Sequence, residues 1–258
     1  MKICFFKKDN VDYFGQIKEG EINEFNKFHF DESIYNEFKK YKGKKLSSEK
    51  IDFISPLPKN KTVYGIADNY KENSNPLIFF KNNTNSATLI KEDNQIVINK
   101  RLKNIWAESE LGFVISKDIK VASNENIDQS YILGYFIAND ITGSIDKEDH
   151  HLICSKSCPG FLQTGHILHL DFVPKNQNIS LYQDKEKLRE GKLSYRNLDD
   201  INIIKLLNSF FNLAKGDVVL TGAPQRCRER MYLSGKNTID INIESLEKIK
   251  STISLHYR

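Results

Sequence analysis

The sequence lacks most features that mark a secreted, membrane-spanning or zinc-binding protein. Its 258 residues include four cysteines, and the one close pair, Cys154 and Cys158, has no second pair at a zinc-binding spacing. Lys2, Lys7 and Lys8 interrupt the apolar start, so no signal-peptide core is expected. No apolar stretch approaches bilayer length. These absences favour a cytoplasmic protein with reduced thiols and no membrane partner.

The charge pattern does not favour nucleic acid as a partner. The formal net charge is +4, and most basic residues are scattered lysines with acids between them, as in Lys185-Glu186-Lys187. A nucleic-acid surface needs a basic stripe interleaved with aromatic or arginine side chains. A solvated surface is therefore the better interpretation of these lysines. With 39% hydrophobic and 28% charged residues, the composition is that of an ordinary globular protein.

Many short apolar segments and few helical ones predict a mainly β, α+β fold. The strongest strand patterns are at 106–115 and 131–138. Further strands are predicted at 1–6, 13–17, 62–66, 77–80, 167–172, 179–182, 218–220, 238–243 and 250–256. One helix is predicted to begin after Asp199 or Asp200 and to end at Gly216. Pro56 and Pro58 indicate a boundary between a small N-terminal module (1–58) and a main domain (59–258).

Paired carboxylates are the first sign of chemistry. Residues two apart on a strand share a face, so Glu108 and Glu110 would project together. Like charges side by side destabilise a strand, which leaves two alternatives: a solvated acidic edge or a bound cation. Asp140 ends the next apolar segment and alone would be an ordinary turn residue. Three carboxylates on adjacent strands would suit Mg²⁺, Mn²⁺ or Ca²⁺, which prefer oxygen ligands.

Four motifs, in this order, resemble those of the fumarylacetoacetate hydrolase family. The motifs are Glu108-Ser109-Glu110-Leu111, Gly134-Tyr135-Phe136-Ile137-Ala138-Asn139-Asp140, Lys156-Ser157 and Gly216-Asp217-Val218-Val219-Leu220-Thr221-Gly222-Ala223-Pro224. The similarity extends from about Lys61 to the end of the sequence. The resemblance implies the mixed β-sandwich roll of the family's C-terminal domain, with the first sixty residues as its small N-terminal β module.

The resemblance also implies a metal site and a substrate class. The implied metal ligands are Glu108, Glu110 and Asp140, holding Mg²⁺ or Mn²⁺, with Ca²⁺ as a further option. The implied substrate is a small 2-oxo or β-dicarbonyl acid, whose oxygens the metal polarises as a C–C bond breaks. Lys156 is implied as a catalytic positive charge beside those oxygens. The implied substrate-binding residues are Tyr70, Thr221 and Gly222.

Several positions depart from the family's pattern. Asn73 stands where the family usually has a water-activating histidine, and asparagine cannot accept a proton at neutral pH. Glu72, beside it, is a candidate catalytic base. Ser144 and Pro159 stand where the family commonly has an arginine and an aspartate. Two further groups remain open, each with a solvated-surface alternative: His150 with His151, and the arginines at 226, 228 and 230.

The leading prediction is a divalent-metal-dependent enzyme, implied to be a homodimer like other family members. Hydrolysis of a C–C bond is the activity that the resemblance implies. Loss of the histidine makes decarboxylation or tautomerisation through an enolate more plausible, because these reactions need no activated water. The alternative is a catalytically silent homologue that binds a ligand or a protein partner, and a third possibility is new biosynthetic chemistry on the same metal site.

Overall fold

The computed structural model describes residues 1–8, 11–18, 21–27, 45–46, 51–82, 87–89, 93–123, 125–145 and 153–258. The first five strands are β1 (Lys2–Lys8), β2 (Val11–Lys18), β3 (Glu21–Lys27), β4 (Lys45–Leu46) and β5 (Asp52–Ile54). The central strands are β6 (Val63–Ala67), β7 (Leu77–Lys81), β8 (Ala87–Leu89), β9 (Asn94–Ile98), β10 (Asn104–Trp106), β11 (Ser109–Ile115), β12 (Ile132–Asp140) and β13 (Thr142–Ser144). The later strands are β14 (Leu162–Thr164), β15 (Ile167–His169), β16 (Asn178–Gln183), β17 (Glu186–Lys192), β18 (Val218–Leu220), β19 (Lys236–Ile243) and β20 (Lys248–Tyr257).

Helices are few in the described ranges. The two α-helices are α1 (Ile153–Lys156) and α2 (Asp200–Asn208), and two 3-10 helices lie at Gln129–Tyr131 and Leu193–Tyr195. The side chain of Asp199 caps α2 by accepting a hydrogen bond from the N–H of Asn202 (2.8 Å). The mainly β, α+β architecture predicted from the sequence is therefore confirmed.

Thirteen strands of the described chain form one mixed sheet. Ten of them run in the order β4-β3-β2-β1-β15-β12-β11-β18-β6-β7, with β5, β8 and β14 attached to this path. Because β1 pairs with β15, the N-terminal strands continue the sheet of the main part of the chain. The division at residue 58 stays a prediction.

A second sheet packs against the first and completes the core. Its order is β17-β16-β19-β20-β9, and buried positions alternate with more exposed ones along β19, as expected for a sheet with one face in the core. One continuous apolar cluster joins Phe113 and Tyr135 of the first sheet to Leu181 and Ile241 of the second. The two sheets thus form the sandwich that the family resemblance implied.

The centre of the large sheet determines where the site lies. All seven residues of β11 are buried, and the strand pairs with β12 on one side and β18 on the other. The beginning of β11, the end of β12 and the turn after β18 therefore meet at one end of the sheet. The loop after β6 reaches the same end, because β6 runs parallel to β18.

Two predicted elements end earlier than the sequence indicated, and one predicted segment lies mostly outside the described residues. The helix does not extend to Gly216: it ends at Asn208, whose side-chain amide donates to the carbonyls of Lys120 (2.7 Å) and Phe211 (3.3 Å). The strand predicted at 167–172 ends at His169. The lysine-rich segment 32–50, whose polar composition predicts helix and loop, lies mostly outside the described residues, which include only β4 there. Within the described ranges, no helix is long and apolar enough to cross a membrane.

Candidate active site

Three carboxylates meet where β11 and β12 run side by side. Glu110 is on β11, Asp140 is the last residue of β12, and Glu108 lies just before β11. One oxygen of each carboxylate lies within 4.8 Å of the other two. Carboxylate oxygens at this spacing are the donors that hard divalent cations prefer, so these three residues fit Mg²⁺ or Mn²⁺.

Glu108 is held in place although it lies outside the strand. Its N–H donates to Asn139 Oδ1 (3.2 Å), and its carbonyl accepts from the N–H of Asp140 (2.9 Å). The prediction of one continuous strand at 106–115 is wrong, because the chain changes partner at Ala107 and Glu108. Before this break β10 pairs with β13, and after it β11 pairs with β12.

Lys156 reaches the carboxylates from the end of the short helix α1. Its ammonium nitrogen lies 2.7 Å from Asp140 Oδ2, 3.1 Å from Glu108 Oε2 and 2.7 Å from Thr142 Oγ1. It also lies 4.4 Å from the ring centre of Phe79. The structure therefore brings Lys156 together with the predicted metal ligands.

A second buried lysine, Lys81, was missed by sequence reasoning. It ends β7, forms an ion pair with Asp140 and donates to the carbonyl of Ile141 (3.1 Å). Burial lowers the pKa of Lys81, and the neighbouring charge of Asp140 opposes that shift. The available sequence signal was a lysine that directly continues the apolar segment 77–80.

The buried charges shift each other's protonation equilibria. Burial would raise the pKa of Glu108, but Lys156 and Arg189 outweigh it and hold that pKa well below its usual range. Burial, followed by the charge of Asp140, raises the pKa of Glu110 well above its usual range. Burial would lower the pKa of Lys156, yet Asp140 and Glu108 raise it. The carboxylates around Lys156 thus favour its charged ammonium form.

The turn after β18 supports the carboxylates through its backbone. The N–H of Gly222 donates to Glu110 Oε2 (2.7 Å). Gly222 has φ +96°, and a Cβ there would lie 2.8 Å from the carbonyl oxygen of Ile66, so only glycine suits the position. Thr221 Oγ1 donates to the carbonyl of Leu111 (2.9 Å), so its hydroxyl proton is already engaged.

A cavity of about 220 Å³ opens beside the carboxylates. Its lining residues are Ile66, Ala67, Asp68, Tyr70, Lys71, Phe79, Trp106, Glu108, Glu110, Thr142, Lys156, Arg189, Ala223, Pro224, Gln225, Arg226 and Arg230. The hydroxyl of Tyr70 is buried and has no hydrogen-bond partner within the described ranges. A cavity of this size suits a small molecule.

The remaining residues that the sequence singled out, apart from the arginines, lie away from the cavity or outside the described residues. Glu72 and Asn73 are exposed on the loop after β6 and lie outside the cavity lining that the described residues form. The proton-transfer role suggested for Glu72 stays a prediction. Ser144 is buried, and its Oγ accepts from Asn104 Nδ2 (3.3 Å). His150 and His151 lie outside the described residues.

The arginines near the site differ in position: three line the cavity and one lies on the surface. Arg189 on β17, which the sequence did not single out, pairs with Glu108 and donates to the carbonyl of Pro224 (2.6 Å). Arg226 and Arg230 line the cavity. Arg228 is exposed and pairs with Glu186, so it belongs to the surface. No short motif links Arg189 to Glu108, because 81 residues separate them.

A larger cavity, of about 500 Å³, lies at the opposite ends of β11 and β12. Its walls are mostly apolar, including Ile132, Leu133 and Phe172. Asp171 is the only carboxylate among its described lining residues. The smaller cavity, with its cluster of charges, is the better candidate for catalysis.

Comparison with known proteins identifies the family. The family model described as "Fumarylacetoacetate (FAA) hydrolase C-terminal" matches residues 60–254, most of the chain. The chain belongs to the fumarylacetoacetate hydrolase family. The resemblance stated from the sequence motifs is thereby confirmed.

Solved structures similar to this fumarylacetoacetate hydrolase family member show the same fold at low sequence identity. A 5-carboxymethyl-2-hydroxymuconate delta-isomerase from Mycobacterium smegmatis is 19% identical with a TM-score of 0.79, covering all of both chains. A 2-keto-3-deoxy-D-arabinonate dehydratase, complexed with magnesium and 2,5-dioxopentanoate, is 17% identical with a TM-score of 0.79 over all of both chains. A maleylpyruvate hydrolase from Sphingobium sp. SYK-6, in complex with manganese(II) ion and pyruvate, is 14% identical with a TM-score of 0.81 over 99% of each chain.

Proposed function

We propose that the chain is a divalent-metal-dependent enzyme acting on a small 2-oxo or β-dicarbonyl acid. The observation that carries this proposal is the convergence of Glu108, Glu110 and Asp140 within 4.8 Å, with the Lys156 ammonium beside them, at one wall of a small cavity. Family membership supports it, as do the magnesium and manganese named for similar structures. The Mg²⁺ and Mn²⁺ expected from the sequence remain the leading cofactors, and Ca²⁺ remains a weaker option.

The chain's own groups have distinct roles in this proposal. The three carboxylates hold the ion, which when bound polarises the substrate's oxygens as a Lewis acid. The Lys156 ammonium stabilises the negative charge that develops on a substrate oxygen during the reaction. Tyr70 lines the cavity and its buried hydroxyl has no partner among the described residues, so the proposal gives that hydroxyl a hydrogen bond to the substrate. Gly222 and Thr221 position Glu110 and β11 through their hydrogen bonds, and their contact with the substrate stays a prediction.

The loop after β6 favours one reaction type over another. Hydrolysis of a C–C bond needs a base that activates water. Asn73 cannot accept a proton, and both it and Glu72 are exposed outside the cavity lining that the described residues form. Decarboxylation needs charge stabilisation and a proton for the carbon that loses CO₂, which Lys156 and Tyr70 would supply. Keto–enol tautomerisation needs a group that both takes up and gives back a proton, which the Tyr70 hydroxyl would provide as a relay. We therefore place these two reactions ahead of hydrolysis.

Calorimetric titration tests the proposal. Metal-stripped protein is titrated with Mn²⁺ and then with oxalate, a mimic of the charge distribution that develops in a 2-oxo acid. We expect Mn²⁺ to bind, and oxalate to bind only after Mn²⁺. In the Glu110→Gln variant Mn²⁺ affinity should fall by roughly 100-fold or more, because a lost ligand costs at least as much as a lost outer-shell contact.

A matched variant controls for a general charge effect. Glu125 is exposed and lies at the other end of the large sheet, so Glu125→Gln should bind Mn²⁺ like the unsubstituted protein. If the Glu110→Gln variant binds Mn²⁺ as tightly as the Glu125→Gln variant, the metal site is assigned wrongly. If the unsubstituted protein binds neither Mn²⁺ nor Mg²⁺, the protein is a metal-free homologue that binds a ligand or partner.

The proposal also includes the oligomeric state of the protein and its location in the cell. We expect a homodimer in the cytoplasm, as the family resemblance and the cysteine pattern suggest. Light scattering after size-exclusion chromatography should give a mass of twice the 29.9 kDa chain. A monomeric mass at micromolar concentration would contradict the homodimer without affecting the metal site.

A further inference from the structure

We propose that Cys154 and Cys158 are a site of reversible oxidation, where a disulfide bond between them draws Lys156 away from the carboxylates. The co-reactant is a low-molecular-weight disulfide, which oxidises the two thiols and leaves as two thiols. Neither cysteine lines the cavity that the described residues form. Formation of the disulfide is therefore independent of the proposed function, and only its effect on oxalate binding rests on that function.

The two thiols lie close together on one helical turn. The N–H of Ser157 donates to the carbonyl of Ile153 (2.8 Å), so the turn of α1 extends to the residue before Cys158. The Cys158 thiol donates to the carbonyl oxygen of Cys154 (3.3 Å). Cα atoms four residues apart in a helix are separated by roughly 6 Å, which is within the range that disulfide bonds span.

An oxidant can reach this pair of cysteines. Both thiols are free, and Cys154 is exposed whereas Cys158 is partly buried. Burial raises the pKa of Cys158, and the neighbouring Cys154 adds to that rise. The more exposed Cys154 is therefore the thiol that reacts first. Of the other two cysteines, Cys4 is buried, which raises its pKa to about 12, and Cys227 is exposed without another cysteine near it in the sequence.

Lys156 lies between the two cysteines on the buried side of the turn. Cβ atoms one turn apart in a helix are separated by roughly 5–6 Å, whereas a disulfide needs about 3.5–4.5 Å, so the turn must tighten by roughly 1 Å. The Lys156 ammonium lies 2.7 Å from Asp140 Oδ2 and 3.1 Å from Glu108 Oε2. A shift of roughly 1 Å is enough to take such contacts beyond hydrogen-bond distance. Oxidation on the outer side of the turn would thus remove a positive charge from the carboxylates.

The chemical step balances with oxidised glutathione as the disulfide. The thiolate of Cys154 attacks one sulfur of oxidised glutathione, the S–S bond breaks, and one glutathione leaves as a thiolate that takes up the proton lost by Cys154. The thiolate of Cys158 then attacks the Cys154 sulfur, and the second glutathione leaves in the same way. The protein loses two hydrogens, which are two protons and two electrons, and oxidised glutathione gains both. An excess of a small thiol reverses the reaction.

Peptide mass mapping after incubation with oxidised glutathione tests the disulfide. In the metal-stripped protein we expect Cys154 and Cys158 to become linked with the loss of two hydrogens, and the solitary Cys227 to carry glutathione. In Cys158→Ser, Cys154 should carry glutathione as well, because the second thiol is missing. Cys227→Ser should form the Cys154–Cys158 disulfide like the unsubstituted protein. A Cys154 that carries glutathione or stays reduced in the unsubstituted protein overturns the inference.

Brief acetylation measures the displacement of Lys156 and needs neither metal nor turnover. Lys156 is buried, so it should react slowly in the reduced protein and several-fold faster in the disulfide form. Lys71, whose side chain is 65% exposed, should react equally in both forms and serves as the internal control. The faster reaction of Lys156 should be absent from oxidised Cys154→Ser and should reverse with dithiothreitol. Equal acetylation of Lys156 in the reduced and disulfide forms overturns its displacement.

Oxalate binding separates this inference from the proposed function. The Mn²⁺-loaded disulfide form should bind oxalate roughly 10- to 100-fold more weakly than the reduced form, the range of one lost hydrogen bond to a charged group. Cys154→Ser, treated with oxidised glutathione in the same way, should bind oxalate like the reduced protein. Equal oxalate binding by both forms overturns the link between the disulfide and the site. If the disulfide forms and releases Lys156 but the reduced protein binds neither Mn²⁺ nor oxalate, the proposed function falls and the oxidation site stands.

Discussion

The candidate site has a strand half and a loop half, and they differ in how their polar groups are satisfied. The strand half consists of Lys81, Glu110 and Asp140, which lie on β7, β11 and β12 and are buried. Its charges are paired with one another or with backbone groups. The loop half consists of Tyr70 and Arg230, which lie outside the strands and have polar atoms without partners in the described chain.

This difference indicates which half depends on the ligand. A group that is satisfied within the protein adopts its position whether or not substrate is bound, because leaving it unpaired would be costly. A group that is not satisfied within the protein gains most from binding. The strand half should therefore contribute mainly to stability and ion binding, and the loop half mainly to recognition of the substrate.

Breaking the strand half should have the largest effect on stability. Lys81→Met leaves Asp140 with one fewer buried cation, and breaking a buried ion pair costs about 3–5 kcal/mol of unfolding free energy. Urea denaturation monitored by circular dichroism measures this loss. Lys71→Met is the control, because the Lys71 side chain is 65% exposed and its pair with Asp68 contributes little. Similar results for both variants would mean that burial does not distinguish the two pairs.

Removing the contacts that hold the loop after β6 should reduce the unfolding free energy by an intermediate amount. Asn69 is buried; its side-chain amide donates to the carbonyl of Thr221 (2.9 Å) and accepts from the N–H of Leu198 (2.8 Å). Asn69→Ala leaves these buried groups unpaired, so we expect a loss of about 1–3 kcal/mol of unfolding free energy, measured with urea. Oxalate affinity should also fall, because the neighbouring Tyr70 would no longer be held.

The exposed Asn197 provides the control for this release. Its amide donates to the carbonyl of Lys71 (2.8 Å) on the surface of the same loop. Asn197→Ala should cost less stability than Asn69→Ala, because water replaces a lost partner at an exposed position. A larger loss of unfolding free energy for Asn197→Ala would show that the exposed contact of Asn197, and not the buried contacts of Asn69, holds the loop.

Tyr70→Phe should change stability least. It also tests most directly whether the loop half serves ligand binding and not stability. The change removes a buried hydroxyl that has no partner within the described ranges, so unfolding free energy should stay the same or rise by up to about 1 kcal/mol. Oxalate binding to the Mn²⁺-loaded variant should weaken several-fold if this hydroxyl faces the ligand. Lower stability together with unchanged oxalate binding would place Tyr70 among the structural residues instead.

The strand half was largely predictable from the sequence, because local patterns encode it. Glu110 and Asp140 lie in short motifs at the edges of apolar segments, and a buried strand with carboxylates at its end is unusual enough to be noticed. Lys81 escaped notice because a lysine at the end of an apolar segment is ordinarily a solvated residue. Its burial depends on Asp140, 59 residues away, which no local pattern reports.

The loop half was less predictable, because contacts distant in sequence decide it. The three arginines of the segment 226–230 look alike in the sequence, and only the fold places Arg230 on Trp106 and Arg228 on Glu186. The apolar pattern of 106–115 also failed to predict the break in the strand at Glu108. The pattern is continuous in the sequence, but the chain changes its strand partner there. Gly216 does have a positive φ of 86°, but it serves the turn before β18 and not the end of the helix.

Gly222 has a consequence for directed evolution of this protein. Any replacement adds a Cβ, which would meet the Ile66 carbonyl oxygen at 2.8 Å and the Asn69 Cβ at 3.0 Å. Each codon change that alters this residue therefore gives a strained protein, whatever the new side chain. Saturation libraries intended to change substrate range should leave codon 222 fixed and randomise codons 226 and 230, where the backbone sets no comparable restriction.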